Sequence, residues 1–183
     1  MKLFITGATG FIGSHFVNAA HKAGYEIIAL RRKNSKPKIK LNKEPIWVEG
    51  LLDEDFSNYL LDCDVLVHFA SHSAQPPYES LEDCIYWNLT ATIKLCCQAL
   101  KSGVGKFLIA GSCFEYGKSG DRFDFIPANA PLEPTSSYPA SKAAASVALH
   151  SWTIENNVKL QILRIFQVYG EGEMDSDDED LLQ

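Results

Sequence analysis

Leu3-Phe4-Ile5-Thr6-Gly7-Ala8-Thr9-Gly10-Phe11-Ile12-Gly13 reads as a short apolar strand, a tight turn with three glycines, and the opening of a helix. Each glycine answers a separate steric need. Gly7 permits the turn, Gly10 lets the backbone approach a pyrophosphate, and Gly13 lets the helix lie close on the strand. The first helical turn presents unpaired N–H groups and the positive end of the helix dipole, which together suit phosphate. A glycine triplet alone is a weak signal and could be nothing more than a tight strand-to-helix turn. Placed after the first strand of the chain, it makes Gly7, Thr9, Gly10, Phe11, Ile12 and Gly13 the expected contacts of a dinucleotide.

Outward from this turn, apolar or β-branched runs recur at Glu26 to Leu30, Ile46 to Val48, Val65 to Ala70, Phe107 to Ala110 and Leu160 to Ile165. They lack polar alternation, as strands buried on both faces of a parallel sheet do. Between them, Ile12 to Ala23, Tyr86 to Lys101 and Ser136 to Asn156 carry apolar residues at helical spacing. Gly24 and Gly103 close the first two, while Ser136 or Ser137 is the expected N-cap of the third, with Pro139 in its first turn. The segment Gly117 to Ser137 is rich in Gly, Pro and Asp and reads as a loop. The fold class is therefore α/β, a doubly wound parallel sheet of Rossmann type.

Tyr138 and Lys142 stand four apart on the third helix and so project from one face. An ammonium there can stabilise a phenolate and lower the tyrosine pKa from its ordinary value of about 10, making Tyr138 a general acid/base. Ser112 follows the fifth strand at the carboxyl edge of the sheet, where ligands of open α/β folds bind, and its hydroxyl can hold a substrate oxygen in line with the tyrosine. Tyr and Lys at this spacing are also common on plain exposed helix faces. The glycine turn and Ser112 tip the reading towards chemistry. His72, just beyond the fourth strand, reads more simply as a packing or exposed residue than as a ligand contact.

The order of these elements resembles the extended short-chain dehydrogenase/reductases, the NAD-dependent epimerase/dehydratase group that modifies nucleotide sugars. The resemblance is carried by Gly7 to Gly13, Val67-His68-Phe69-Ala70, Asn88, Gly111-Ser112-Cys113-Phe114-Glu115-Tyr116-Gly117, Tyr138-Pro139-Ala140-Ser141-Lys142 and Leu163 to Gly170. It implies that Ser112, Tyr138 and Lys142 are catalytic, and that Ala70, Tyr138 and Lys142 also touch the cofactor, Lys142 through the nicotinamide ribose. It implies a supporting role for Asn88 through a water or backbone link to Lys142, and a homodimer packed through the helices near 86–101 and 136–156. Such proteins usually continue for a hundred residues or more past the Val168-Tyr169-Gly170 motif, so the C-terminal substrate-binding region is expected to be largely absent here. The sugar 4,6-dehydratases of the group carry an Asp-Glu pair directly after the catalytic hydroxyl residue, where this chain has Cys113-Phe114, so dehydration is disfavoured. A Gly-Asp-Leu pattern that binds adenine has no counterpart either, because Gly50 is followed by Leu51.

The second strand ends in Arg31-Arg32 with no acid to bond a ribose 2′-hydroxyl, and Lys33, Lys36, Lys38, Lys40 and Lys43 follow. A guanidinium can grip a 2′-phosphate with two hydrogen bonds, so Arg31 and Arg32 favour NADP, with NAD the alternative. The net charge of −6 is uneven: residues 171–183 hold seven acids and no base, leaving the rest at +1. A nearly neutral body argues against nucleic-acid binding, and the acidic end reads as a disordered tail beside a dinucleotide-binding domain over 1–170. No run is long enough for a membrane span, no secretory signal opens the chain, and five cysteines show neither zinc nor disulfide spacing. A cytoplasmic location with reduced, mostly buried thiols is expected. The expected activity is an NAD(P)-dependent epimerase or keto-sugar reductase, an oxidoreductase or isomerase using hydride transfer at a sugar carbon. A non-catalytic dinucleotide-binding module or sensor is the alternative.

Overall fold

The computed structural model describes residues 1–173. Its strands are β1 (Lys2–Thr6), β2 (Glu26–Arg31), β3 (Ile46–Glu49), β4 (Val65–His68), β5 (Lys106–Ser112) and β6 (Lys159–Ile165). All six pair in parallel in the order β3-β2-β1-β4-β5-β6. The order reverses direction beside β1, which makes the sheet doubly wound and sets every strand's carboxyl end along one edge. Helices α1 (Phe11–Lys22), α2 (Ser57–Leu60), α3 (Leu81–Ile85), α4 (Thr92–Lys101) and α5 (Ser137–Asn156) occupy the connections.

Alternation along each strand divides the core between the two faces of the sheet. Phe4, Ile28, Leu30, Val48 and Leu66 meet Leu95, Cys96 and Ala99 of α4 and Leu149 of α5. Leu3, Ile5, Ile27, Ala29 and Val67 meet Val17 and Ala20 of α1 and Leu41 of the loop between β2 and β3. The two-sided burial explains why the strand sequences show no polar alternation. All five cysteines are free thiols, three of them buried. No helix among the described residues is long and apolar enough to cross a membrane.

Several elements differ from the sequence reading. The helix expected from Tyr86 begins earlier, at Leu81, with Ser80 capping it through Asp83 N–H. It then passes through a wide π turn, Tyr86–Ala91, before continuing as α4. β4 stops at His68, so Phe69 and Ala70 lie in the turn beyond it. Ser136 occupies the N-cap position of α5 without a side-chain capping bond, and the Ser137 hydroxyl instead donates to the Glu79 carbonyl. The loop after Gly117 contains a short 3₁₀ turn, Lys118–Arg122. Of the acidic segment expected as a tail over 171–183, Glu173 N–H closes a turn onto the Gly170 carbonyl, and residues 174–183 lie outside the described residues.

His68 stitches the layers together. Its Nδ1 lies 2.7 Å from Thr6 Oγ1 of β1 and its Nε2 3.0 Å from Thr92 Oγ1 of α4. Burial, aided by the Lys142 charge, pushes its pKa down from 6.5 to about 3, so the folded state holds a neutral ring.

Two stability measurements follow from this packing. A Cβ on Gly13 would lie 2.0 Å from the Gly7 carbonyl oxygen, whereas one on Gly10 would meet only that oxygen at 3.3 Å. Gly13→Ala is therefore expected to destabilise the chain by about 1–3 kcal/mol in urea unfolding, and Gly10→Ala by no more than about 0.5 kcal/mol; equal effects would refute the steric account. Unfolded His68 takes up a proton near pH 6.5 and folded His68 only near 3. Stability should thus fall as pH drops through that window, by several kcal/mol at most on the ~1.4 kcal/mol per unit scale. His68→Gln should flatten the slope, and an unchanged slope would exclude His68 as its source.

Candidate active site at the carboxyl edge of the sheet

The glycine turn is shaped by contacts that leave no room for side chains at two of its three glycines. Gly7 adopts φ +71, and a Cβ there would fall 2.4 Å from Ala70 N. Ala70 N–H in turn donates to Thr6 Oγ1 at 3.4 Å, so the turn after β1 and the turn after β4 are in direct contact. Gly10 N–H donates to the Gly7 carbonyl, and Ser14 fastens the helix start through both N–H and hydroxyl to the Gly10 carbonyl. Gly10 itself has an ordinary φ of −72, is exposed, and needs no missing side chain to fit the protein. The Thr9 carbonyl accepts from Lys38 N–H, which draws the basic loop against this turn.

At the end of β2, the pairing Arg31↔Glu49 brings an acid to a place where sequence alone offered none. The Arg31 guanidinium bonds Glu49 Oε1 at 3.0 Å and stacks over the Trp47 ring at 4.9 Å. Arg31 is thus partly neutralised, whereas Arg32 and Lys33 are exposed. The acid was invisible in the sequence because it arrives from the next strand through register.

Farther along the edge, β5 delivers Ser112 and α5 delivers Tyr138 and Lys142, all three buried at 5%, 6% and 3% exposure. Hydrogen bonding from the Ser71 and Ser112 hydroxyls favours the Tyr138 phenolate, but burial outweighs it and holds the phenol pKa above its usual value. The expected lowering by Lys142 is therefore corrected: the ammonium donates to the Ala110 carbonyl at 2.7 Å, and desolvation of a phenolate is the larger effect. Burial likewise lowers Lys142 to about 8, against the opposing pull of Glu115. The Tyr78 ring lies tilted against Tyr138 with centroids 5.4 Å apart.

Asn88, in the π turn, reaches Ser141 Oγ at 2.9 Å and holds His72 at both backbone groups. It acts on the neighbour of Lys142, while the His72 ring bonds Glu79 at 2.8 Å. Sequence reading passed over Ser71, Tyr78 and Glu115. The first two lie in a loop with no pattern to place them, and Glu115 looked like any charge after a strand.

Comparison with known proteins follows this geometry. Residues 3–183 match the model of the NAD dependent epimerase/dehydratase family. The chain is 28% identical to the dTDP-D-glucose 4,6-dehydratase of Mus musculus over 92% of its own length and 51% of that protein. It is 28% identical to the UDP-glucose 4-epimerase of Lacticaseibacillus casei over 93% of its length and 52% of the relative's. Among solved structures, the NAD dependent NDP-hexosamine 5,6-dehydratase TunA superposes with a TM-score of 0.84 at 28% identity, covering 95% of this chain and 57% of TunA. The chain thus spans about half the length of the curated relatives it matches. The glycine turn, the doubly wound order and the match from residue 3 onward agree, and the chain belongs to the NAD dependent epimerase/dehydratase family.

Proposed function

We propose that this chain forms the dinucleotide-binding and proton-transferring part of a nucleotide-sugar epimerase or keto-sugar reductase. The observation that carries the reading is the hydrogen bond between the Ser112 and Tyr138 side chains, with Lys142 one helical turn on from Tyr138 and all three buried at the carboxyl end of the sheet. A nicotinamide dinucleotide bound at Gly7 to Gly13 and beside Ala70 would supply hydride transfer at a sugar carbon. The exposed Gly10, at the N-cap of α1 with only the Gly7 carbonyl oxygen near a Cβ position, supports such a fit.

The residues' own tasks are then separable. Ser112 holds the reacting sugar oxygen, and Tyr138 moves the proton at that oxygen. Burial holds the Tyr138 phenol above its usual pKa, so it enters the reaction protonated and gives up its proton only to an oxygen that gains negative charge. A ketone undergoing reduction supplies such an oxygen. Lys142 supplies positive charge beneath the site while its Nζ is anchored on Ala110. Cys113 is half-buried with its thiol pKa pushed up by burial, and Phe114 is exposed, so neither offers the carboxyl groups of a dehydratase. Val147 and Ile154, exposed at 63% and 69% and seven apart on α5, support a second copy docking on that helix. Five unpaired thiols support action in the cytoplasm.

Exposed Arg32 and Lys33 support NADP over NAD, while the Arg31–Glu49 pair moderates the preference. In calorimetric titrations at fixed salt, wild type should bind NADP more tightly than NAD, and Arg31→Ala/Arg32→Ala should shrink the ratio roughly tenfold, the scale of one charge-assisted contact. Gly10→Val should bind neither. Wild-type affinity in Gly10→Val would remove the binding site from this turn, and a wild-type preference for NAD would overturn the NADP assignment.

Turnover is tested with a panel of nucleotide sugars and 4-keto sugars. Tyr138→Phe should lower kcat by about 10²–10⁴-fold with cofactor affinity intact. Near-normal turnover would exclude Tyr138 as the proton carrier. Tight cofactor binding with no turnover of any sugar would identify a binding module instead.

A further inference from the structure

Glu115 has no part in this scheme, yet it is among the most constrained polar groups in the chain. It is fully buried, in the 3₁₀ turn Cys113–Glu115 that follows β5. An interior carboxylate is costly unless its oxygens are matched, and here both are. Oε1 accepts from Ser112 N–H at 2.8 Å. Oε2 accepts from Ser146 Oγ of α5 at 2.7 Å and from Arg164 Nε of β6 at 2.9 Å. The carboxylate also explains a glycine: a Cβ on Gly111 would lie 2.6 Å from Oε1, so any side chain there would evict it.

Within six residues, Ala110 to Glu115, the chain holds the Lys142 ammonium through one carbonyl, presents the Ser112 hydroxyl, and turns a carboxylate back beneath both. The Ala110 carbonyl from β5 accepts from the Lys142 ammonium, neutral His68 from β4 and Glu115 lie within electrostatic reach of it, and Tyr138 stands one helical turn earlier. Glu115 alone among these carries negative charge, because His68 is neutral and burial keeps the Tyr138 phenol protonated.

We propose that Glu115 is a positioning residue of this site: its carboxylate fixes the strand end that carries Ser112 and supplies the negative charge against which the Lys142 ammonium is buried. The proposal rests on the reading of Ser112, Tyr138 and Lys142 as the reacting edge. Burial alone drives Lys142 towards its uncharged form, and Glu115 opposes that drive. Arg164, bound to the same carboxylate, draws away part of its field.

The direct readout is the titration of Lys142, followed by NMR of protein labelled with ¹³C at the lysine ε-carbon, with the resonance assigned by its loss in Lys142→Arg. Glu115→Gln keeps the size of the side chain and removes its charge. The Lys142 midpoint should then fall by about one pH unit or more below wild type. Glu115→Asp keeps the charge on a shorter stem, so the midpoint should stay near wild type while kcat falls at little changed KM as Ser112 loses its anchor. Arg164→Gln removes the competing cation, and the Lys142 midpoint should rise. An unchanged midpoint in Glu115→Gln overturns the proposal. Should that variant not fold, an Arg164→Gln midpoint that stays or falls overturns it instead. The titrations require no turnover, so a chain inactive on every sugar would refute the proposed function while the Glu115–Lys142 coupling stood or fell on its own result.

Discussion

One close approach, the backbone of α1 lying on the turn that follows β1, sets the terms for the sheet edge around it. Gly13 can sit on the Gly7 carbonyl only because it has no side chain in the way, and Gly7 leaves the same kind of room for the Ala70 turn. The first contact aims the opening turn of the helix along the sheet edge, and the second lets Ala70 N–H reach Thr6 Oγ1. The first also gives α1 the position from which Val17 and Ala20 close one face of the sheet. A fold with more room here would keep its strands but lose the alignment between the start of α1 and the end of β4.

Much of this was readable from the chain itself, for reasons that are local. Two-sided burial leaves a continuous apolar run in the sequence, so each strand was visible, and the glycines of the first turn announce themselves by spacing. Tyr138 and Lys142 could be paired because a helix converts a separation of four into a shared face. What escaped depends on contacts between distant segments. Glu49 meets Arg31 through strand register, and Lys142 turns to the Ala110 carbonyl, neither of which any window of sequence contains. The sign of the Tyr138 shift was misjudged for a related reason: spacing shows a neighbouring charge but not the amount of water removed. The early start of α3 was foreshadowed by Ser80 with an acid three residues on, a capping pattern that the apolar periodicity alone did not reveal.

The polar interior has a division of labour. On one side of the edge, Thr6, His68 and Thr92 form a neutral chain that joins sheet to helix. On the other, Ser112, Glu115, Ser146 and Arg164 form a charged one that joins β5, α5 and β6. Arg164 extends the charged chain outward to the Ala128 carbonyl and the Tyr116 hydroxyl, tying the long loop after Gly117 to the sheet. Lys142 lies between the two networks, so its environment is defined by one neighbour that cannot charge and another that is charged.

The wide turn at Tyr86–Ala91 lets the helix leading into α4 hold one residue more than a regular helix without turning α4 away from the core. A π turn holds one residue more than a regular turn, and each residue of an α-helix rotates the side chains by about 100°. Within it Asn88 faces Ser141 and the His72 backbone; just past it Thr92 faces His68, and Leu95, Cys96 and Ala99 face the sheet. The two faces stay in phase because the wider turn takes up its extra residue without adding rotation. Losing one residue between 86 and 91 would restore an ordinary helix and leave the buried side of α4 facing the core, whereas the same residues wound as regular α-helix would swing that side by more than a quarter-turn away from it. The segment can therefore absorb the loss of one residue that a regular helix at this place could not.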